Sequence, residues 1–444
     1  MREKISNLFF EKIKNKKLKI GIIGLGYVGL PLAKAFCGQG IKVIGLDIDK
    51  NKVDLLSSGK SYINHISDSD ISQMTENDLF VASIDFSLLE KVDAIIICVP
   101  TPLTIRKEPD LGPVINTARS ISNHIQKGQL VILESSTYPG TTDEELSAIL
   151  SESGLKKDSD FFLAYSPERE DPGNENFSTS TIPKIVGADS DIARNLAVSL
   201  YESVIEKVIP VSSSRTAEAI KLTENIFRSV NIALMNELKV IFDAMDIDVW
   251  DVIEGASTKP FGFMPFYPGP GLGGHCIPID PFYLSYKASK YNVEARFIEL
   301  AGEINTNMPK IVISKLLMAL NLHSKKSIKD AKILIIGMAY KKNVDDMRES
   351  PSLVLIELLE ALGAKVEYFD NYIPIIPITR DHNDLSGRKS IKISPKVLKD
   401  FDAILISTNH DNIDYQMISD NSKLVIDTRN AMANFPGKAK VIKA

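Results

Sequence analysis

The sequence predicts an α/β protein with two doubly wound parallel-sheet units and a helical segment between them. Three observations carry this. Short apolar runs alternate with amphipathic stretches in the first third of the chain. The same alternation resumes from Ala331, and between them residues 216–245 keep a helical pattern with no glycine or proline. Strands of a parallel sheet are buried on both faces, so they read as continuous apolar runs, and the crossover helices read as amphipathic ones. At 444 residues the chain exceeds one ordinary core, and two or three domains are expected. The expected boundaries are 1–211, 212–323 and 324–444.

Strands are predicted at 18–23, 42–47, 94–99, 130–134 and 161–165 in the first unit. In the last unit they are predicted at 332–336, 365–369, 403–407 and 424–427. The helix over 216–245 outlasts a typical globular helix, as a domain-joining or oligomer-forming element would. Residues 264–281 hold five prolines and four glycines, a density of breakers that implies a loop of fixed shape. A second helical stretch is predicted over about 281–322, with a boundary at 324–327.

The net charge of −5 excludes the basic footprint of a nucleic-acid binder, beyond a Lys-rich start at 12–19. An anionic small ligand remains compatible, because helix N-termini and a few placed cations suffice to hold one. Cys37, Cys98 and Cys276 are an odd set in a long chain and suggest no disulfide framework. The start has no proper signal sequence, and runs such as 94–100 fall far short of a membrane span. The expectation is a reduced, cytoplasmic protein with no membrane partner, no nucleic acid and no metal.

Ile20–Ile23 is followed by Gly24-Leu25-Gly26-Tyr27-Val28-Gly29 and a helix-like stretch to Phe36. This is the dinucleotide fingerprint in its strand–turn–helix context, expected of a Rossmann-type domain. Gly24 makes the tight turn, Gly26 admits the pyrophosphate to the backbone, and Gly29 lets the helix pack on the strand. Asp47 closes the second strand, where a carboxylate binds ribose hydroxyls and repels a 2′-phosphate. NAD is therefore expected over NADP, with Lys50 and Lys52 near enough to soften the preference. The later run Ile335-Ile336-Gly337-Met338-Ala339-Tyr340 lacks the second and third glycines. That unit is expected to hold a related nucleotide and not a dinucleotide.

Cys276 stands in Gly273-Gly274-His275-Cys276-Ile277-Pro278-Ile279-Asp280, a rigid loop with an acid nearby, and is the candidate nucleophile. Cys37 and Cys98 occupy apolar contexts, where a thiol acts as a small hydrophobe. His275 is a weaker candidate for a base, since adjacent residues rarely converge. Lys221 and Asn225 stand four apart on the long helix and so share a face. The bland alternative is a solvated face, to which Glu218 and Glu224 belong equally well. Glu168 follows a predicted strand, where α/β enzymes place functional side chains; a surface carboxylate is the alternative.

These residues resemble the UDP-glucose/GDP-mannose dehydrogenases over nearly the whole chain. The matching pieces are Gly24–Gly29 with Asp47, Pro100-Thr101-Pro102, Ser135-Ser136-Thr137, Ser166-Pro167-Glu168, Lys221 with Asn225, Gly273–Cys276 and Asp280. Tyr340-Lys341-Lys342-Asn343, Arg348-Glu349-Ser350 and Asp427-Thr428-Arg429 match as well. The run Phe261-Gly262-Phe263-Met264-Pro265-Phe266-Tyr267-Pro268-Gly269-Pro270-Gly271 looks like the UDP-N-acetylhexosamine branch, especially the UDP-N-acetylglucosamine enzymes. Glu168-Arg169 with Pro172-Gly173 leans the same way. Plain UDP-glucose enzymes tend to carry Phe-Leu where this chain has Arg169-Glu170.

The resemblance implies an N-terminal NAD domain, a central helical domain and a C-terminal UDP-binding domain, in a homodimer or higher homo-oligomer. It implies four-electron oxidation of a C6 alcohol through a thiohemiacetal and a thioester on Cys276. Lys221 and Asn225 would stabilise oxyanions. Asp280 and Glu168 would handle protons, and Thr137 would hold a water. The cofactor would be held by Gly24, Gly26, Tyr27, Val28, Gly29, Asp47, Lys52, Pro100, Thr101, Ser136, Thr137 and Arg348. The UDP-sugar would meet Glu168, Arg169, Lys221, Asn225, Phe266, Tyr267, Gly273, Lys341 and Arg429. UDP-N-acetylmannosamine, UDP-N-acetylgalactosamine and UDP-glucose stand as alternative substrates. A hydroxyacid dehydrogenase transferring one hydride gives no reason for Cys276 in a rigid loop or for the second α/β unit, and a nucleotide-sensing or scaffold protein would form no NADH with any UDP-sugar.

Overall fold

A computed structural model describes residues 2–63, 66–104, 108–169, 180–274, 277–379 and 381–444. They gather into two compact units, Met1–Glu224 with Phe282–Val293, and Asn225–Pro281 with Glu294–Ala444. His275, Cys276, Glu170, Pro172 and Gly173 lie outside the described residues.

In the first unit the described strands are β1 (Lys19–Ile23), β2 (Lys42–Leu46), β3 (Phe80–Ser83), β4 (Ala94–Ile97), β5 (Leu130–Leu133), β6 (Phe162–Tyr165), β7 (Lys184–Gly187) and β8 (Val208–Val211). They form one sheet in the order β3-β2-β1-β4-β5-β6-β7-β8, parallel throughout except for the β6–β7 pair. The continuous apolar runs arise because both faces are covered. Ile20, Ile22, Ala94, Ile96, Leu130 and Ile132 join the core on one side of the sheet. Ile23, Ile95, Ile97, Val131 and Leu133 join the core on the other. Each such fully buried valine, leucine or isoleucine contributes roughly 1.5–3 kcal/mol.

The strands foreseen from the sequence are found to within two residues; β3, β7 and β8 in this unit, and a last strand at Lys440–Lys443 in the other, were not foreseen. β8 contains Pro210 at the sheet edge, where a missing ladder donor is tolerated but the apolar pattern is weak. β3 is the opposite edge, with Val81 half exposed. β7 begins with Lys184, a residue that reads as polar yet is buried in an ion pair with Glu134.

The second unit has β9 (Lys332–Ile336), β10 (Lys365–Phe369), β11 (Ala403–Ile406), β12 (Leu424–Asp427) and β13 (Lys440–Lys443) in the order β10-β9-β11-β12-β13, all parallel. Ile333, Ile335 and Leu405 pack on one face, and Leu334, Ile336 and Ile404 on the other. The long helix runs over Ser214–Ala244, and the division between the units falls within it. The helical stretch expected over 281–322 is two helices, Asp280–Ser289 and Arg296–Ala319. Asn292 separates them in the left-handed region at φ 57, a conformation asparagine accepts more readily than most residues. Pro281 sits in the first turn of its helix, where its missing N–H costs nothing. No described helix is long and apolar enough to cross a membrane.

Candidate active site

In the first unit, β1, β4, β5 and β6 are parallel neighbours, so the segments that leave their carboxyl ends share one edge of the sheet. Those segments are Gly24–Gly29, Pro100-Thr101, Ser135–Thr137 and Ser166–Arg169. The edge includes the point between β1 and β4 where strand order reverses, the usual ligand crevice of such sheets.

The glycine loop has the shape a dinucleotide needs. Gly24 has φ 92, and a Cβ there would lie 2.5 Å from the Cys98 carbonyl oxygen. A Cβ on Gly29 would lie 1.9 Å from the Gly24 carbonyl oxygen, so the helix Gly29–Gly38 packs directly on the turn. At Gly26, by contrast, no described atom lies within 4 Å of the Cβ position. The backbone is open where a pyrophosphate must approach, and the residues fit the cofactor.

Asp47 does more than the sequence suggested. Its Oδ2 accepts the Leu25 N–H at 2.9 Å and its Oδ1 accepts the Asp49 N–H at 2.9 Å. Tyr62 donates its hydroxyl to the Leu25 carbonyl, so the loop is pinned from both sides. Lys52 lies 3.7 Å from Asp47. Tyr27 is partly exposed, and the buried Thr101 accepts the Tyr283 hydroxyl on its carbonyl at 2.8 Å.

Thr137 is fully buried, and its Oγ1 has no hydrogen-bond partner among the described residues. An orphan hydroxyl costs about 1–3 kcal/mol, which favours a partner supplied by water or ligand. Glu218 of the long helix accepts Gly140 N–H at 2.7 Å, Thr142 N–H at 2.9 Å and Thr142 Oγ1–H at 2.7 Å. Burial pushes the Glu218 carboxyl up to about 7 against the pull of these donors. The solvated-face alternative for this helix therefore fails: Glu218, Lys221 and Asn225 are all buried.

Lys221 Nζ donates to the Glu168 carbonyl oxygen at 2.5 Å and lies 3.4 Å from the Glu168 carboxylate. Arg169 turns its guanidinium onto Glu224 (3.2 and 2.6 Å) and the Pro183 carbonyl (2.6 Å). That arrangement anchors the β6 segment to the long helix, a role the sequence reading did not give it. Val28, Leu32, Glu134, Glu168, Arg169 and Lys184 line a small cleft. Within it Lys184 pairs with Glu134 at 2.8 Å, and Glu134 also accepts the hydroxyl of the buried Tyr201. This trio was missed, because a lysine and a tyrosine 17 residues apart carry no motif.

In the second unit Asn225 Nδ2 donates to Asp280 Oδ2 at 2.6 Å, with both side chains buried. The proline-rich loop is held from several directions. Gly269 N–H donates to Asn236 Oδ1 at 3.0 Å, and Asn236 in turn donates to Asn305 at 2.9 Å. Gly274 N–H donates to the Arg348 carbonyl at 2.8 Å, and a Cβ on Gly273 would lie 2.6 Å from Tyr340 Cβ. Phe266 meets Phe227 edge-on at 5.7 Å, and Tyr267 stacks on Trp250 at 5.6 Å. Arg348 pairs with Asp346 at 2.6 Å.

Arg429 Nε donates to the Ser407 carbonyl at 3.0 Å. Desolvation brings its guanidinium down to about 10, although Asp427 opposes the change. A cation under such a penalty is a ready partner for a phosphate. Gly269 lies so close that a Cβ there would be 2.4 Å from Arg429 Nη1. Lys341 is half-buried in the segment after β9. Among the described residues no group of three or more His, Cys, Asp or Glu is placed to hold a metal.

Models of the UDP-glucose/GDP-mannose dehydrogenase family match at residues 18–205 (NAD binding domain), 215–307 (central domain) and 334–434 (UDP binding domain). A UDP-N-acetyl-D-glucosamine 6-dehydrogenase of Pseudomonas aeruginosa is 37% identical over 360 residues, 81% of this chain and 84% of that protein. A UDP-N-acetyl-D-mannosamine dehydrogenase of Campylobacter jejuni is 35% identical over 410 residues, 89% of this chain and 96% of that protein. The solved UDP-D-ManNAc dehydrogenase of Pyrococcus horikoshii superposes with a TM-score of 0.85 at 32% identity, covering 96% of this chain and 99% of that one.

Proposed function

Because the chain belongs to the UDP-glucose/GDP-mannose dehydrogenase family and is an NAD-dependent UDP-sugar dehydrogenase, we propose that it oxidises the C6 alcohol of a UDP-N-acetylhexosamine, UDP-N-acetylglucosamine foremost, to the carboxylate. The observation that carries this reading is the long helix with Lys221 and Asn225 one turn apart. Both are buried, one against Glu168 and the other against Asp280. Two placed donors, each with a carboxylate beside it, suit a carbon that twice develops oxyanion character.

NAD⁺, held at the Gly24–Gly29 loop, would supply the hydride acceptor, and alcohol to acid requires two such acceptors in turn. The balance is one alcohol, two NAD⁺ and one water giving one carboxylate, two NADH and three protons. In the first oxidation the hydroxyl proton passes through a water to Asp280, while Lys221 and Asn225 hold the developing alkoxide. The Cys276 thiolate then adds to the aldehyde carbon, forming the C–S bond of a thiohemiacetal whose oxygen rests on the same two donors. Covalent capture keeps a reactive aldehyde from escaping between cofactors. After the second oxidation Cys276 carries a thioester. Water held by Thr137 and deprotonated by Glu168 attacks it, and the C–S bond breaks to return the thiolate. Arg429 and Lys341 bind the diphosphate of the substrate.

The sugar assignment rests on the residues 261–271 and on relatives carrying N-acetylhexosamine names. Those names include UDP-N-acetyl-D-mannosamine dehydrogenases, which makes that sugar the second reading. Side-by-side kcat/KM values at saturating NAD⁺ test it. UDP-N-acetylglucosamine is expected to be fastest and UDP-glucose slowest, by as much as roughly 10⁴ if the acetamide has polar partners that UDP-glucose leaves unpaired. A maximum for UDP-N-acetylmannosamine would move the substrate within the branch. A maximum for UDP-glucose would overturn the N-acetylhexosamine reading.

For the cofactor, the Asp47 carboxylate opposes the extra phosphate of NADP⁺. Asp47→Ser is expected to narrow the ratio of NAD⁺ to NADP⁺ kcat/KM by about tenfold or more. It should also weaken NAD⁺ itself, since Leu25 and Asp49 lose their acceptor. An unchanged ratio would limit Asp47 to holding the loop.

A further inference from the structure

The segment that follows β9 occupies the place the glycine loop holds in the first unit. It turns at Gly337, with φ 87 and a Cβ position 2.3 Å from the Thr408 carbonyl oxygen. No further glycine follows, and the Ser352 hydroxyl bonds the Gly337 carbonyl at 2.9 Å where the first unit has Gly29. Residues 338–343 therefore take their shape from outside anchors.

One anchor is Asp370, just past β10. Its Oδ2 accepts the Met338 N–H at 2.5 Å and the Ala339 N–H at 3.1 Å, while Oδ1 accepts those of Tyr372 and Ile373 at 2.7 and 3.0 Å. The other is His410, beyond β11, whose Nδ1 lies 2.9 Å from the Asn343 amide nitrogen. A backbone N–H can only donate, so Nδ1 is the acceptor and the ring proton sits on Nε2. That nitrogen lies 3.0 Å from Asp370 Oδ2 and donates to it. Both side chains are fully enclosed, and the Tyr372 ring lies 4.8 Å from the imidazole. Asn343 itself is in the left-handed region at φ 61 and is braced by Asp411 through bonds of 2.5 and 3.0 Å.

Both ends of the segment thus hang on one buried aspartate–histidine pair, with Tyr340 and Lys341 between them. We propose that His410, through Asp370, is a positioning residue for uridine diphosphate recognition: it fixes the segment that presents Lys341, and so sets nucleotide affinity without taking part in the oxidation. This rests on the second unit's reading as the UDP-binding domain, and it is independent of which sugar is attached.

Three variants separate this role from a general loss of fold. His410→Leu removes both hydrogen-bonding atoms. His410→Asn keeps an acceptor near the Nδ1 position. His410→Gln instead reaches toward the Nε2 position. UDP binding by calorimetry, NAD⁺ binding, and steady-state kcat and KM with the UDP-sugar are the readouts. His410→Leu is expected to weaken UDP and raise the sugar KM by roughly tenfold or more. NAD⁺ affinity and kcat at saturating sugar should stay within about threefold. His410→Asn should recover most of the loss, because holding Asn343 needs the acceptor. Unchanged UDP affinity in His410→Leu overturns the proposal, as does an equal fall in UDP affinity, NAD⁺ affinity and kcat. If His410→Leu does not fold, the other two decide: Asn nearer to wild type supports the proposal, and Gln equal or nearer overturns it. UDP binds without any sugar in this assay, so an error in the sugar assignment leaves the result readable.

Discussion

Cys276→Ala is expected to lower carboxylate formation by on the order of 10⁴ or more, with folding and NAD⁺ affinity retained. The reasoning is chemical. Without the thiolate no C–S bond forms, and the second oxidation has only a free aldehyde or its hydrate to act on. The wild-type enzyme should release two NADH for each UDP-sugar consumed, with a uronic acid as product. A stable one-to-one yield with an aldehyde or ketone would sink the four-electron route. The other cysteines serve as controls. Cys37 is buried, with burial pushing its thiol up to about 12, and it donates to the Leu79 carbonyl at 3.4 Å. It therefore supplies no thiolate at neutral pH. Cys37→Ala and Cys98→Ala should change stability through packing and leave the NADH ratio at two. Near-normal turnover by Cys276→Ala would remove it as nucleophile, and loss of turnover in Cys98→Ala alone would move the role there.

What could be read from the sequence divides along a physical line. The glycine turn at Gly24–Gly29 was legible because sterics leave few residues able to sit there, and the structure shows the close approaches at Gly24 and Gly29 and the open position at Gly26. Lys221 and Asn225 were legible as a helical pair, since spacing of four sets a shared face. Their burial was not, because a helix studded with Glu218 and Glu224 looks solvated until its partners across the fold are known. Glu218 is enclosed only because Gly140 and Thr142, more than 70 residues away, offer it three donors. Asp370 and His410 escaped for the same reason: 40 residues apart, they meet only when β10 and β11 flank β9. Glu134, Lys184 and Tyr201 are a third case. Arg169 is a fourth case: the motif match pointed to the substrate, and no spacing announced its bonds to Glu224 and the Pro183 carbonyl.

Lys221→Met is expected to cost on the order of 10²–10³ in kcat, the loss typical of removing one oxyanion donor. Methionine keeps much of the length and volume of the lysine chain in a position where little of the side chain is exposed. The substitution thus deletes the ammonium with little change in packing. It also leaves the Glu168 carbonyl without the donor it now has at 2.5 Å and its carboxylate without the cation at 3.4 Å. Losing the oxyanion donor should depress kcat at every pH, including the plateau. Lys221→Arg is not expected to rescue it, since the planar, wider guanidinium must find room in a buried site shaped for a point charge. A plateau rate within about threefold of wild type would exclude the oxyanion role, since even one lost donor of that kind costs far more. That outcome would leave Lys221 as a cation that only anchors the Glu168 segment.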